Sequence, residues 1–91
     1  MAIDEQVALL KQGARAWNAW RASKPQAAVD LSHGALRGLA LKGVDLSGAD
    51  LTAADLRSVQ FLQCPQLEAA HNWQSAYRDE NLACGAATPV R

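Results

Sequence analysis

Leucine stands at positions 31, 36, 41, 46, 51 and 56 of this 91-residue chain, and Phe61 takes the next place in the same register. A spacing of five suits neither regular secondary structure. On an α-helix five residues advance about 500°, so successive leucines would fall about 140° apart and ring the helix without forming a stripe. In a flat strand an odd spacing sends alternate leucines to opposite faces and leaves half of them in water. The remaining solution is a coil in which every five residues form one side of a polygon and then turn a corner, so that each fifth residue meets the same inward direction.

Seven pentads run from residue 29 to residue 63. Ala49-Asp50-Leu51 and Ala54-Asp55-Leu56 match letter for letter the unit of the pentapeptide-repeat family, roughly Ala-(Asp/Asn)-Leu-X-X, and the tract resembles that family. The resemblance implies a right-handed quadrilateral β-helix of four pentads per coil and just under two coils, with the central Leu or Phe and the residue two before it pointing inward. Val29, Gly34, Val44, Ala49, Ala54 and Val59 suit the smaller inward place, for which Leu39 is large. Residues twenty apart should stack at roughly the 4.8 Å inter-strand distance. Leu31 is then expected under Leu51, Leu36 under Leu56 and Leu41 under Phe61. Asp30 would pair with Asp50 and Arg37 with Arg57, the acidic and basic columns neutralising one another around a corner.

Open coil ends would expose leucines and unpaired backbone, so both ends need covers. Residues 3–22 contain no Pro and one Gly, and Ile3, Val7, Leu10, Ala14 and Trp17 follow helical spacing, which predicts an N-terminal helix that stops at Ser23-Lys24-Pro25. Leu67, Ala70, Trp73 and Tyr77 predict a helical cap over residues 65–84, with Pro65 near its start and Gly85 as its stop. Residues 86–91 read as a mobile tail, and residues 1–91 as a single domain with one small core. The flanks Trp17-Asn18-Ala19-Trp20-Arg21 and Asn72-Trp73-Gln74-Ser75-Ala76-Tyr77 resemble segments that bracket the repeats in some bacterial members of the family. Trp17 and Trp20 fit either a buried plug or an exposed interface.

Nine basic residues balance nine acidic ones, so no global field draws the protein toward nucleic acid or an anionic membrane. The chain opens Met-Ala-Ile-Asp-Glu with no basic n-region or long apolar stretch, and no apolar run nears the roughly eighteen residues of a membrane span. Cys64 and Cys84 lie outside any CxxC spacing. The reading is a cytoplasmic protein with free thiols, the alternative being a Cys64–Cys84 disulfide if both reach the same end.

No catalytic, cofactor-binding or metal-ligating set is expected. His33 and His71 each lack a second ligand at metal spacing and read as solvated surface residues. Cys64 falls on the small inward place of an eighth, incomplete pentad and reads as packing, not as a nucleophile. Asp30, Asp45, Asp50 and Asp55 suggest turn and ladder hydrogen bonds ahead of a paired-carboxylate site. Gly34, Gly38, Gly43 and Gly48 keep repeat register, not phosphate-loop spacing, and read as corner glycines. A narrow coil with flat faces and no cleft favours a non-enzymatic protein-interaction module with an unknown protein partner. Two alternatives are a structural oligomer and, by resemblance, a DNA mimic that binds DNA gyrase. Zero net charge and a height of about 10 Å count against the mimic.

Overall fold

The structure, a computed structural model, describes residues 2–89. The central tract winds through turns at residues 32–33, 37–38, 42–43, 47–48, 52–53 and 57–58, one in each of the first six pentads. Parallel bridges join Asp30 to Asp50, Ala35 to Asp55 and Ala40 to Gln60, each pair twenty residues apart. Four corners therefore complete one lap, and the second lap lies on the first. Leu31, Leu36, Leu41, Leu46, Leu51 and Leu56 are all buried in the shared interior.

The expected β-helix is corrected by the local geometry: among the described residues there is no β-strand and no sheet. Every bridge is isolated. Each five-residue side carries one bridging residue between two corner turns, so no two consecutive residues pair, whereas a strand needs several consecutive pairs. The laps are held together by a pair of backbone bonds per bridge and by bonds at the corners, where His33 N donates to Thr52 O at 2.8 Å and Gly38 N to Arg57 O at 3.1 Å. At one bridge Asp50 N donates to Val29 O at 2.9 Å, while Leu31 N donates to Asp50 O at 3.0 Å.

A third, partial lap follows, which the leucine spacing does not announce. His71 bridges to Asp50 and Tyr77 to Asp55, so the offset has grown to twenty-one and then twenty-two residues. Only α3 (Cys64–Glu68) and 3-10 turns at Trp73–Ser75 and Glu80–Leu82 are helical here. The helical cap expected over 65–84 is thus mostly irregular chain that continues the winding. The register also slips at Phe61, which adopts φ +63° and is 63% exposed, while Leu62 turns inward. Leu41 therefore has Gln60 above its backbone, and the expected Phe61 side chain does not fill the interior.

At the other end the single helix expected over 3–22 is two helices, α1 (Asp4–Lys11) and α2 (Ala14–Ser23). Gly13 separates them at φ +107°, in the region open to glycine at little steric cost. Both helices close the lower rim with polar side chains. Gln6 accepts from Asp30 N and donates to Ala28 O, both at 2.8 Å, and Ile3 N donates to Asp30 O. Trp17, fully buried, donates its indole N–H to Asp45 O at 2.8 Å. Asn18 accepts from Asp45 N and donates to Gly43 O, and Arg21 reaches Asp45 O and Ser47 O. On the upper rim Gln66 of α3 donates to Leu41 O and Val44 O. Trp17 is therefore a buried plug, with the half-buried Trp20 ring 5.3 Å away.

Gly38, Gly43 and Gly48 occupy corners with positive φ, as expected of corner glycines. Gly34 does not. It occupies an inward place where a Cβ would stand 2.9 Å from Leu31 O. The smaller inward places at Val29, Val44, Ala49, Ala54 and Val59 are buried, but Leu39 is only half-buried, consistent with its size. The expected free thiols are corrected too: Cys64 and Cys84 form a disulfide with Cα atoms 5.6 Å apart. Of the expected tail, Ala87 is held by Arg78, and Val90 and Arg91 lie outside the described residues.

Candidate interaction surface

Four aspartates on the outer faces repeat one local device. Asp30 Oδ1 accepts from Ser32 N at 3.0 Å and Ser32 Oγ at 2.6 Å, and Asp45 with Ser47 and Asp50 with Thr52 repeat both distances. Asp55 accepts from Arg57 N and, with both carboxylate oxygens, from the Arg57 guanidinium at 2.9 Å. Hydrogen bonds from the residue two positions on hold all four carboxyls below the usual aspartate range, the side-chain bond being the largest cause in each case. These donors belong to the corner turn that follows each aspartate, the turn hydrogen bonding expected of these residues.

Arg37 and Arg57 are neutralised on their own side of the coil, not around a corner as the sequence suggests. Asp55 meets the Arg37 Nε at 3.3 Å as well as binding Arg57. Arg57 also lies 6.0 Å from the centre of the Tyr77 ring. Beside this row a shallow hollow of about 260 Å³ is lined by His33, Gly34, Ala35, Ala53, Asp55 and Tyr77. His33 and His71 are both exposed, and they are carried on different laps.

The four sides of the coil are covered unequally. The side through Asp30, Asp50 and His71 is closed below by Gln6 and Ile3, and the side through Asp45 lies between α2 and α3. On the side through Ala40 and Gln60 the helices reach only Leu41 O, through Gln66, and the corner residue Gly43, through Asn18. Among the described residues Ala40 makes no backbone hydrogen bond below, and Val59 O and Phe61 N make none above. Phe61 stands exposed at the end of this side. A second apolar area lies on α1, where Ile3, Leu9 and Trp20 with Gln6 and Gln12 line a hollow of about 390 Å³.

At the upper end Arg78 is 4% exposed and uses all five donors on backbone carbonyls: Ala76 through Nε, Leu82 and Ala83 through Nη1, Gln74 and Ala87 through Nη2. Trp73 lies 5.2 Å beneath its guanidinium. Burial lowers the Arg78 pKa from its usual value, because the carbonyls offer dipoles but no counter-charge. Nothing in the sequence marks this arginine out, since its partners are backbone atoms of a segment without a period.

A comparison with protein families adds one match: the pattern of pentapeptide repeats is found in eight copies across residues 27–64. Residues 27–64 are pentapeptide repeats. The match begins two residues before the seven pentads written from the sequence and ends at Cys64, the first residue of α3. No curated protein and no solved structure matches the chain. Pentapeptide repeats suggest a protein-interaction or structural module and are generally not enzymes. The repeats supply the first two laps here, whereas the third lap and both rims come from sequence outside them or at their edge.

Proposed function

We propose that the chain is a non-enzymatic protein-interaction module whose contact surface is the side carrying Ala40, Gln60 and Phe61. The observation that carries this reading is Phe61, an aromatic side chain 63% exposed beside backbone groups of Ala40, Val59 and Phe61 that make no hydrogen bond below or above among the described residues. Unpaired backbone beside an aromatic anchor is suited to an extended segment of a protein partner, with main-chain hydrogen bonds giving affinity and the ring giving a fixed point. Both hollows are shallow, and neither gathers a nucleophile with a base and an oxyanion donor, the set that acyl or phosphoryl chemistry needs.

The test pairs a tagged wild-type protein with Phe61→Ser, a substitution at an exposed position that leaves the interior intact. A protein captured by the wild type, bound again after separate purification, and lost with Phe61→Ser supports the proposal. Equal binding by the two forms overturns it. Sedimentation in the same series addresses the structural alternative: a dimer that dissociates in Phe61→Ser makes the partner a second copy. A DNA mimic gains nothing from a chain with equal numbers of acids and bases, and absence of inhibition in a gyrase supercoiling assay would remove it. No helix of the described residues is long and apolar enough to cross a membrane. A cytoplasmic setting belongs to the proposal in the form with Cys64 and Cys84 reduced, since a reducing compartment keeps such pairs as thiols.

A further inference from the structure

We propose that Cys64, Glu68 and Cys84 form a redox-gated site for a thiophilic divalent cation of the zinc class, open when the two sulfurs are thiols and closed when they pair. One ligand atom of each residue lies within 4.8 Å of the other two. Two sulfurs and a carboxylate are a donor set that zinc accepts, and one tetrahedral ion spans ligand atoms about 3.5 Å apart.

The fold places the three independently of their bond. Cys64 opens α3 and Glu68 follows four residues later, so the two side chains project from the same helix face about 40° apart. Glu68 is exposed and makes no hydrogen bond or ion pair with the described residues, so the carboxylate is available. Cys84 arrives from the far end of the third lap on a turn with φ +50°, followed by Gly85 at φ +84°. That turn is fastened from inside. Arg78 grips Leu82 O and Ala83 O before it and Ala87 O after it, all at 2.8 to 2.9 Å, and the Leu82 side chain is buried in the core. Cutting the sulfur–sulfur bond therefore leaves Cys84 facing α3 with Cα atoms near their present 5.6 Å separation, close enough for both thiolates to reach one ion.

Opening the site takes two electrons and two protons from an external dithiol, which leaves as its own disulfide while Cys64 and Cys84 become thiols. On binding, each thiol gives its proton to solvent as its sulfur bonds the ion, and Glu68 supplies a third bond through a carboxylate oxygen. The fourth position remains for water or for a donor from a bound protein.

The test uses the full chain, reduced with excess dithiol, freed of it without oxygen and titrated with Co²⁺, whose thiolate charge-transfer bands report sulfur ligation. The expected result is one ion per chain in the reduced protein, none in the oxidised protein, and displacement of Co²⁺ by Zn²⁺. Cys84→Ser should abolish the charge-transfer signal of a two-thiolate site. Glu68→Gln, on a solvent-facing position, should weaken binding at least about tenfold, since loss of even an outer-layer partner costs a metal site that much. The proposal fails if the reduced wild type shows no thiolate band, if either variant binds as the wild type does, or if reduction alone removes the folded circular-dichroism signal.

Discussion

At the residue scale, the aspartates before Leu31, Leu46, Leu51 and Leu56 each stabilise the corner that follows. Ser32, Ser47 and Thr52 donate both backbone and side-chain hydrogens to the preceding carboxylate, so the Asp-Leu-Ser/Thr order already contains the turn. These bonds hold the folded-state pKa values below the usual 3.8. The folded protein thus binds protons less readily than the unfolded chain in this range. The carboxylates contribute stability in full above about pH 4, and that contribution is lost as pH falls through the lower folded values. Thermal melts should be insensitive to these groups near neutrality and drop below about pH 4. Asp50→Asn should melt lower than wild type near pH 7 and fall less steeply in acid. Gly34 tests the interior in the same way. A Cβ there meets Leu31 O at 2.9 Å and the Ala2 side chain at 3.4 Å, so Gly34→Ala should cost roughly 1–3 kcal/mol in urea denaturation.

At the element scale, a coil made of single bridges depends on what closes its rims. α1, α2 and α3 do so less by helical regularity than by side-chain amides and an indole that stand in for the missing lap: Gln6 at Asp30, Trp17 and Asn18 at Asp45, Gln66 at Leu41 and Val44. Trp17→Ala removes both the plug and a donor to Asp45 O, and should cost about 3–5 kcal/mol while leaving the sedimenting mass unchanged. A change in mass would show the helix to be a seam between copies. The break at Gly13 lets α1 and α2 address two different sides of the coil, which one straight helix over residues 3–22 could not do.

At the scale of the whole molecule, the third lap is joined to the coil by two fasteners of different kinds. Arg78 binds it through backbone carbonyls, and the Cys64–Cys84 bond ties it to α3 across a sequence separation of twenty residues. A loop of that size is stabilised by about 3 kcal/mol through restriction of the unfolded chain. Reduction should therefore lower the urea midpoint by the equivalent amount while the far-UV signal at zero urea stays unchanged, because Arg78 and the two bridges at His71 and Tyr77 persist. The expected third-lap loosening can be read separately as faster amide exchange over residues 78–87.

The five-residue period determined, without coordinates, that six leucines fill the interior and that both rims need covering, because periodic side chains leave few ways to bury themselves; that residues twenty apart stack came from the four sides per lap that the family resemblance implied. The same period could not reveal that each side pairs through one residue, because strand formation depends on how many backbone groups remain after the corners are turned. Beyond Phe61 the repeat is lost, and with it the basis for reading the chain. A backbone dihedral at φ +63° turned Phe61 outward, and aperiodic residues 70–83 were wound into a third lap by bonds to laps already formed. Arg78, the Gln6 and Gln66 rim contacts and the meeting of Cys64, Glu68 and Cys84 all join residues distant in sequence or pair side chains with backbone carbonyls. Such contacts carry no composition or spacing signal, so only the tertiary structure decides them.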